Sequence, residues 1–219
     1  MIIADPKNRE EWLNARKKGI GGSDAACIIG LNKYKSNVRL WDEKAGLQKP
    51  EDVSEKPAVI YGKEAEAAVR RLFILDHPEY DVKYHEYRMY ADKDHPYIFA
   101  TLDGELTDTR TGRQGVLEIK TATIQNPIQW KDWSDESMPE SYYIQALHQL
   151  IATGWNFSIL RAYIRYFKND SLRAVVKEYS VDRKDVMDDI EYLIEKESQF
   201  WELSLIHISE PTRQEAISY

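Results

Sequence analysis

Apolar residues follow two rhythms along this chain, and the alternation between them lays out the fold. From about Pro57 to Leu75, Ala65, Ala68, Val69, Leu72 and Phe73 recur at helical spacing, which predicts a core helix. Glu140 to Thr153 repeats the rhythm, and Asp182 to Glu202 predicts a longer helix near the end of the chain. Between them lie stretches rich in β-branched and aromatic residues: Val82 to Tyr90, Tyr97 to Leu106, Gly115 to Lys120, Ser158 to Phe167 and Arg173 to Val181. These read as strands.

Cap and stop residues punctuate the N-terminal part. Asp5-Pro6 opens a helix over EEWLNARKKG that stops at Gly19. Gly21, Gly22 and Ser23 then turn the chain, with Ser23 or Asp24 capping a short apolar helix that ends near Gly30. Ser36 opens another helix, with Leu40 and Trp41 on its buried side and Gly46 at its end. The fold class expected is α/β (α+β), a central mixed sheet flanked by helices.

Composition narrows this picture little. A chain of 219 residues is long enough for one domain with a substantial core and short for two. Charged residues make up 31% and hydrophobic ones 42%, a globular balance. The single cysteine, Cys27, has no Cys or His neighbour at zinc spacing and reads as a small core residue. One cysteine fits a reducing, cytoplasmic setting, and neither a membrane-spanning run nor a charged-then-apolar leader is evident. The net charge of −7 argues against a protein that coats nucleic acid by bulk electrostatics. It leaves room for an enzyme with acidic residues around metal ions, and basic residues do gather near the N-terminus: Arg16, Lys17, Lys18, Lys33, Lys35 and Arg39.

Candidate chemistry lies between Thr101 and Lys120, TLDGELTDTRTGRQGVLEIK. Strand side chains alternate, so Glu118 and Lys120 point one way and Ile119 the other. Thr109, Thr111 and Gly112 fold the two strands back, which brings Asp103 opposite Glu118. Two carboxylates at one spot suit a hard divalent cation, Mg²⁺ with Mn²⁺ as a substitute, better than zinc. A lysine beside them can orient or deprotonate water, and the metal stabilises charge on a phosphoryl oxygen. Taken alone, the same residues also describe an ordinary hairpin with a solvated charged face.

Other segments join this one. ARKKGIGGSDAA (Ala15 to Ala26), YGKEAEAAVRRLF (Tyr61 to Phe73), ATLDGEL (Ala100 to Leu106), VLEIKTA (Val116 to Ala122) and PESYYIQALHQLIATG (Pro139 to Gly154) stand in a fixed order. Together they resemble the lambda-type phage exonucleases, or YqaJ-like viral recombinases, of the restriction-endonuclease-like PD-(D/E)XK superfamily. The resemblance spans most of Trp12 to Thr153 and implies a restriction-endonuclease-like core over residues 1–202, C-terminally truncated.

What the resemblance implies for the site is specific. Glu66, in the Gly-x-x-x-Glu helix, completes an acidic cluster with Asp103 and Glu118, and the Ile119 carbonyl is a further metal oxygen. Glu64 lies two residues away, about 200° around the helix, so both cannot face the site. Lys120 activates water and Gln145 positions it, with Tyr142 on the same helix face. Gly104 is expected to let the backbone pass close to metal or phosphate. Where the family often has a second glutamine, this chain has Leu147. His148, without a second histidine, reads as a packed or hydrogen-bonding residue. Arg16 and Ser23 match residues that receive the DNA 5′ phosphate, which a guanidinium and a hydroxyl at a helix N-terminus suit chemically. Their alternative is a solvated charge and an N-cap.

The function implied is a Mg²⁺-dependent exonuclease that digests linear duplex DNA from the 5′ end, leaving single strands for recombination. The implied setting is the cytoplasm of a bacterial host, phage or prophage encoded. The implied partners are double-stranded DNA ends, a single-strand annealing protein and two further copies in a ring-shaped homotrimer. Related host exonucleases that carry a cysteine-ligated iron-sulfur cluster are excluded by the single cysteine. A catalytically idle DNA-end-binding or scaffold module of the same fold is the rival reading, and its mark would be a lost carboxylate or lysine. Glu66, Asp103, Glu118 and Lys120 are all present.

Residues 203–219, LSLIHISEPTRQEAISY, break the preceding helical pattern and resemble a translated sequencing adapter. They are set apart from the fold as an artefact tail.

Overall fold

A computed structural model describes residues 1–133 and 137–209. Eight strands and six α-helices follow in the order β1 (Ile2–Ala4), α1 (Arg9–Arg16), α2 (Gly22–Ile28), α3 (Asn37–Lys44), α4 (Pro57–Asp76), β2 (Tyr80–Lys83), β3 (Met89–Ala91), β4 (Phe99–Ala100), β5 (Gly104–Asp108), β6 (Gln114–Ile124), α5 (Glu140–Thr153), β7 (Phe157–Lys168), β8 (Ser171–Asp182) and α6 (Met187–Ser209). The main sheet has the order β2-β5-β6-β7-β8. Only β6 and β7 run parallel; α5 is the crossover between them, and the other pairs are antiparallel. A small sheet, β1-β3-β4, stands apart from it.

Helices cover both faces of the main sheet, as the apolar rhythm predicts. On one side Val69 and Phe73 of α4 pack on Leu106, Leu117, Ile119 and Ile159. On the other, α5 packs with α2, α6 and Val116 in the largest core cluster. The Leu117 and Ile119 side chains thus face α4, whereas Val116 faces α5. The alternation of β6 puts Glu118 and Lys120 on the α5 side with Val116.

Several local expectations need correcting. Asn8, not Asp5, caps α1, accepting from the Glu11 N–H at 2.9 Å. Gly21 is the N-cap of α2, and Asp24 reaches back to the Gly21 N–H at 3.1 Å, so the Ser23 side chain is not the cap and meets Arg16 instead. Gly19 does more than stop a helix. A Cβ there would lie 2.3 Å from the Tyr97 carbonyl oxygen, and that close approach seats the Ile20 to Ile98 bridge. The stretches Val82 to Tyr90 and Tyr97 to Leu106 each break into two strands, because the chain passes from the main sheet to the small one and back. Along α4, Leu72 and Ala68 face solvent rather than the core; only Val69 and Phe73 are buried. A 20-residue helix lying across a twisted sheet touches it along only part of its length. The Ser36 cap, the buried Leu40 and the buried Cys27 stand as expected. Burial pushes the Cys27 thiol up to about 11.

The last helix continues through Ser209, seven residues beyond the end predicted at Glu202. Leu203 is exposed, and residues 210–219 of the proposed adapter tail lie outside the described residues.

Candidate active site

The site forms where β6 outruns β5. Pairing between them ends at Gly104 and Leu117, while β6 continues to Ile124 along β7. The edge of β6 from Glu118 onward therefore loses its strand partner. Asp103, the residue at which the chain enters β5, fills the vacancy with a side chain, as its Oδ2 accepts from the Ile119 N–H at 2.8 Å. On a strand the N–H and C=O of one residue point to the same edge, so the Ile119 carbonyl faces that open edge too.

Each candidate side chain is held by identifiable neighbours. Glu118 is buried, and its Oε1 accepts from Lys120 Nζ at 2.6 Å and Gln145 Nε2 at 2.7 Å. Its Oε2 accepts from Gln149 Nε2 at 2.5 Å. Lys120 Nζ also stands 5.1 Å from the centre of the Tyr142 ring, one turn before Gln145 on α5. Glu66 is half-buried and pairs with Arg70 one turn on, while Glu64 is exposed. Arg70 Nε donates to the Asp103 carbonyl at 2.6 Å, and its guanidinium stacks 3.5 Å from the Tyr84 ring centre. Arg70 thereby ties α4 to the residue that carries the central carboxylate.

Charge interactions show how close these groups stand. Burial, then Glu118 and Glu66, push the Asp103 carboxyl well above the usual carboxylate range, against Lys120 and the Ile119 N–H. Burial also raises Glu66, with Arg70 opposing and Glu118 adding. For Lys120, burial acts downward, but Glu118 and Asp103 outweigh it and the amine is raised. Paired with Glu118 at 2.6 Å, it is held in its charged, hydrogen-bond-donating form.

Among the described residues no three His, Cys, Asp or Glu side chains are gathered tightly enough to hold a metal ion as they stand. The reason is visible: Glu66 turns to Arg70, Glu118 to Lys120 and two amides, and Asp103 to a backbone N–H. The donor set nonetheless fits a hard divalent cation. It consists of oxygens only, and its carboxylates raise one another's affinity for positive charge.

Arg16 and Ser23 come together in the same cleft of about 910 Å³, which Glu66, Asp103, Gln145 and Gln149 also line. Arg16 Nη2 lies 3.4 Å from Ser23 Oγ, and its guanidinium sits 4.6 Å from the Trp12 ring centre. Trp12 is fixed in turn by its Nε1 donating to Thr101 Oγ1 at 2.9 Å, two residues before Asp103. Of the other N-terminal basic residues, Lys33 pairs with Asp132, and Lys35 and Arg39 pair with Glu43.

The structure adds to two sequence expectations here. Gly104 is required by packing: a Cβ on it would lie 3.1 Å from Leu117 Cβ and 3.4 Å from Val82 Cγ1, so it makes room on the α4 side. Gln149 was missed. Leu147 is buried in the core, and the second amide at the site comes instead from Gln149, one full turn after Gln145. The i, i+4 spacing of two glutamines on one helix was the available signal. His148 is fully buried, with Nε2 donating to the Phe99 carbonyl at 2.8 Å and Nδ1 2.7 Å from Glu197 Oε1 on α6. It is the hydrogen-bonding residue expected from the sequence.

Comparison with known proteins identifies the family and the fold. The YqaJ-like viral recombinase domain matches residues 11–156. Uncharacterized protein YqaJ of Bacillus subtilis (strain 168) is 33% identical over 207 residues, covering 89% of this chain and 56% of that protein. The chain thus spans little more than half the length of the curated relative it matches. Among solved structures, an alkaline exonuclease (LHK-Exo) from Laribacter hongkongensis superposes with a TM-score of 0.65 at 20% identity, covering 94% of this chain and 98% of that one. LHK-Exo in complex with dAMP gives a TM-score of 0.68 at the same identity and coverage. These likenesses establish a shared fold. With the family match across its site-bearing segment, the chain belongs to the YqaJ-like viral recombinase domain family.

Proposed function

We propose that this chain is a metal-dependent deoxyribonuclease that digests one strand of linear duplex DNA from its 5′ end, leaving single-stranded DNA for recombination. The observation that carries the reading is the gathering of Glu66, Asp103, Glu118 and Lys120 at the open edge of β6, beside a cleft that Glu66 and Asp103 share with Arg16 and Ser23. The family and the alkaline exonuclease fold support it.

Asp103, Glu118 and the Ile119 carbonyl, with Glu66, are the groups that would hold Mg²⁺ or Mn²⁺. When bound, the cation supplies stabilisation of charge on the phosphoryl oxygens. The chain's own residues do the rest. Lys120, as an ammonium, donates to the attacking water or to a phosphate oxygen and so orients the in-line approach. Gln145 holds Glu118 and presents the rest of its amide to the cleft. Arg16, held by Trp12, offers its guanidinium with the Ser23 hydroxyl to a terminal 5′ phosphate.

Double-stranded DNA ends are the substrate partner in this reading. A homotrimer enclosing DNA, a single-strand annealing protein and a bacterial cytoplasmic setting complete the proposal. Among the described residues no helix is long and apolar enough to cross a membrane. The test is incubation of the purified chain with 5′-phosphorylated linear duplex, with and without Mg²⁺, followed on a denaturing gel. Mg²⁺-dependent shortening of one strand from its 5′ end is expected. An intact duplex under both conditions, with the chain bound at its ends, would favour the idle end-binding module.

A further inference from the structure

Gln149 is 1% exposed, and its amide nitrogen donates to Glu118 Oε2 at 2.5 Å. Its Oε1 is buried with no hydrogen-bond partner, so among the described residues Glu118 is the one polar partner of this side chain. A buried amide left half satisfied is costly, and leucine occupies the comparable interior positions 147 and 150 of the same helix. Core stability alone therefore does not account for a glutamine here. The amide serves the carboxylate instead.

Three donors reach Glu118 from two elements. Lys120 and Gln145 both meet Oε1, whereas among the described residues Oε2 is met by Gln149 alone. Donors on one oxygen of a carboxylate leave the other without a fixed neighbour, and the χ3 torsion that aims it is intrinsically broad. A donor on the second oxygen fixes its plane.

We propose that Gln149 is a positioning residue that sets the orientation of the Glu118 carboxylate for a divalent cation. This rests on reading the cleft as a metal-dependent nuclease site. Groups that hold a metal-ligating carboxylate change metal affinity when lost, even though they never touch the ion. The Gln145 and Gln149 pair, one turn apart on α5, grips the two oxygens of one carboxylate from one helix face.

The test titrates the full chain with Mn²⁺, following free Mn²⁺ by electron paramagnetic resonance. Gln149→Met keeps the length of the side chain and removes the donor. It should weaken Mn²⁺ binding about 10-fold, with the apo thermal midpoint and far-UV circular dichroism unchanged. Gln149→Asn keeps the amide but withdraws it by one methylene, and must show the same loss; it also serves if the methionine variant fails to fold. Mn²⁺ affinity equal to wild type in either folded variant overturns the inference while leaving the nuclease reading intact. A wild-type chain that takes up no Mn²⁺ overturns both.

Discussion

Asp103 Oδ2 accepts the Ile119 backbone N–H at 2.8 Å, so one carboxylate both closes a strand edge and stands where burial, Glu118 and Glu66 push its pKa upward. These two roles can be separated. Asp103→Asn keeps an oxygen for the Ile119 N–H but removes a charge crowded by Glu118 and Glu66. Its thermal midpoint without metal should not fall, because a buried acid facing two other carboxylates is gone. Cleavage should drop roughly 100-fold or more, with partial recovery at high Mn²⁺. A destabilised apo protein would show that the hydrogen bond needs the charge.

Lys120→Ala should reduce strand cleavage by about 10² to 10⁴-fold while DNA affinity stays within a few-fold of wild type, since the ammonium serves the transition state more than the ground state. Single-turnover rates beside an anisotropy binding curve separate the two. Turnover close to wild type would remove Lys120 from the mechanism.

End recognition is expected to reside in the Arg16 and Ser23 pair. Arg16→Ala should slow digestion of 5′-phosphorylated duplex by about 10-fold or more and spare 5′-hydroxyl duplex, because only the former carries the charge a guanidinium reads. Equal slowing on both substrates would reduce Arg16 to a general backbone contact.

His77, away from the cleft, sets a pH dependence of stability. Burial draws its pKa down, but hydrogen bonds to Glu79 at 3.2 Å and Glu178 at 2.9 Å outweigh this, and the net shift is upward. A raised folded-state pKa gives stability that is complete below the unfolded value of about 6.5 and fades as pH rises through the folded value. Urea midpoints of the wild type should therefore decline from pH 6 toward pH 8 more steeply than those of His77→Gln. Parallel curves would deny His77 the linkage.

Deletion of residues 203–219 should leave the thermal midpoint unchanged, whereas ending the chain before Phe200 should lower it clearly. Phe200 packs in a cluster with Ile20, Cys27, Ile28 and Leu40, and Trp201 stacks on Tyr97 with ring centres 5.6 Å apart. Leu203, one turn on, is exposed. A large loss of stability from the shorter deletion would make the tail part of the fold.

The helices and the long strands of the main sheet were legible because each buries a continuous face, and burial writes a period into the sequence. The span of α5 matches its expected bounds, and β6, β7 and β8 differ by a few residues at their ends. The short strands β1, β3 and β4 were not separable. Strands of two or three residues carry too little alternation to be read. At the site, Glu118 and Lys120 follow from strand alternation, while Glu66 and Gln145 needed the family resemblance because their helices meet β6 only in three dimensions. Gln149 escaped because its partner lies 31 positions away, and the i, i+4 spacing from Gln145 was the one cue that the sequence offered. The packing role of Gly104 was illegible for a related reason: a tight fit against Leu117 is invisible without the neighbouring strand.

The pairing of His148 with Glu197, and the seat of Phe200 beside Ile20 and Cys27, have a consequence for synthesis. Every residue assigned to the cleft lies between Arg16 and Gln149, so all of them leave the ribosome well before α6 does. Yet the helix that carries both glutamines, and the segment that carries Ser23, are braced by side chains near position 200. A nascent chain that ends before Phe200 holds all the chemistry and lacks the brace. Assembly of the cleft is thereby tied to synthesis of α6, and products that stop short of it are poor candidates for a working site.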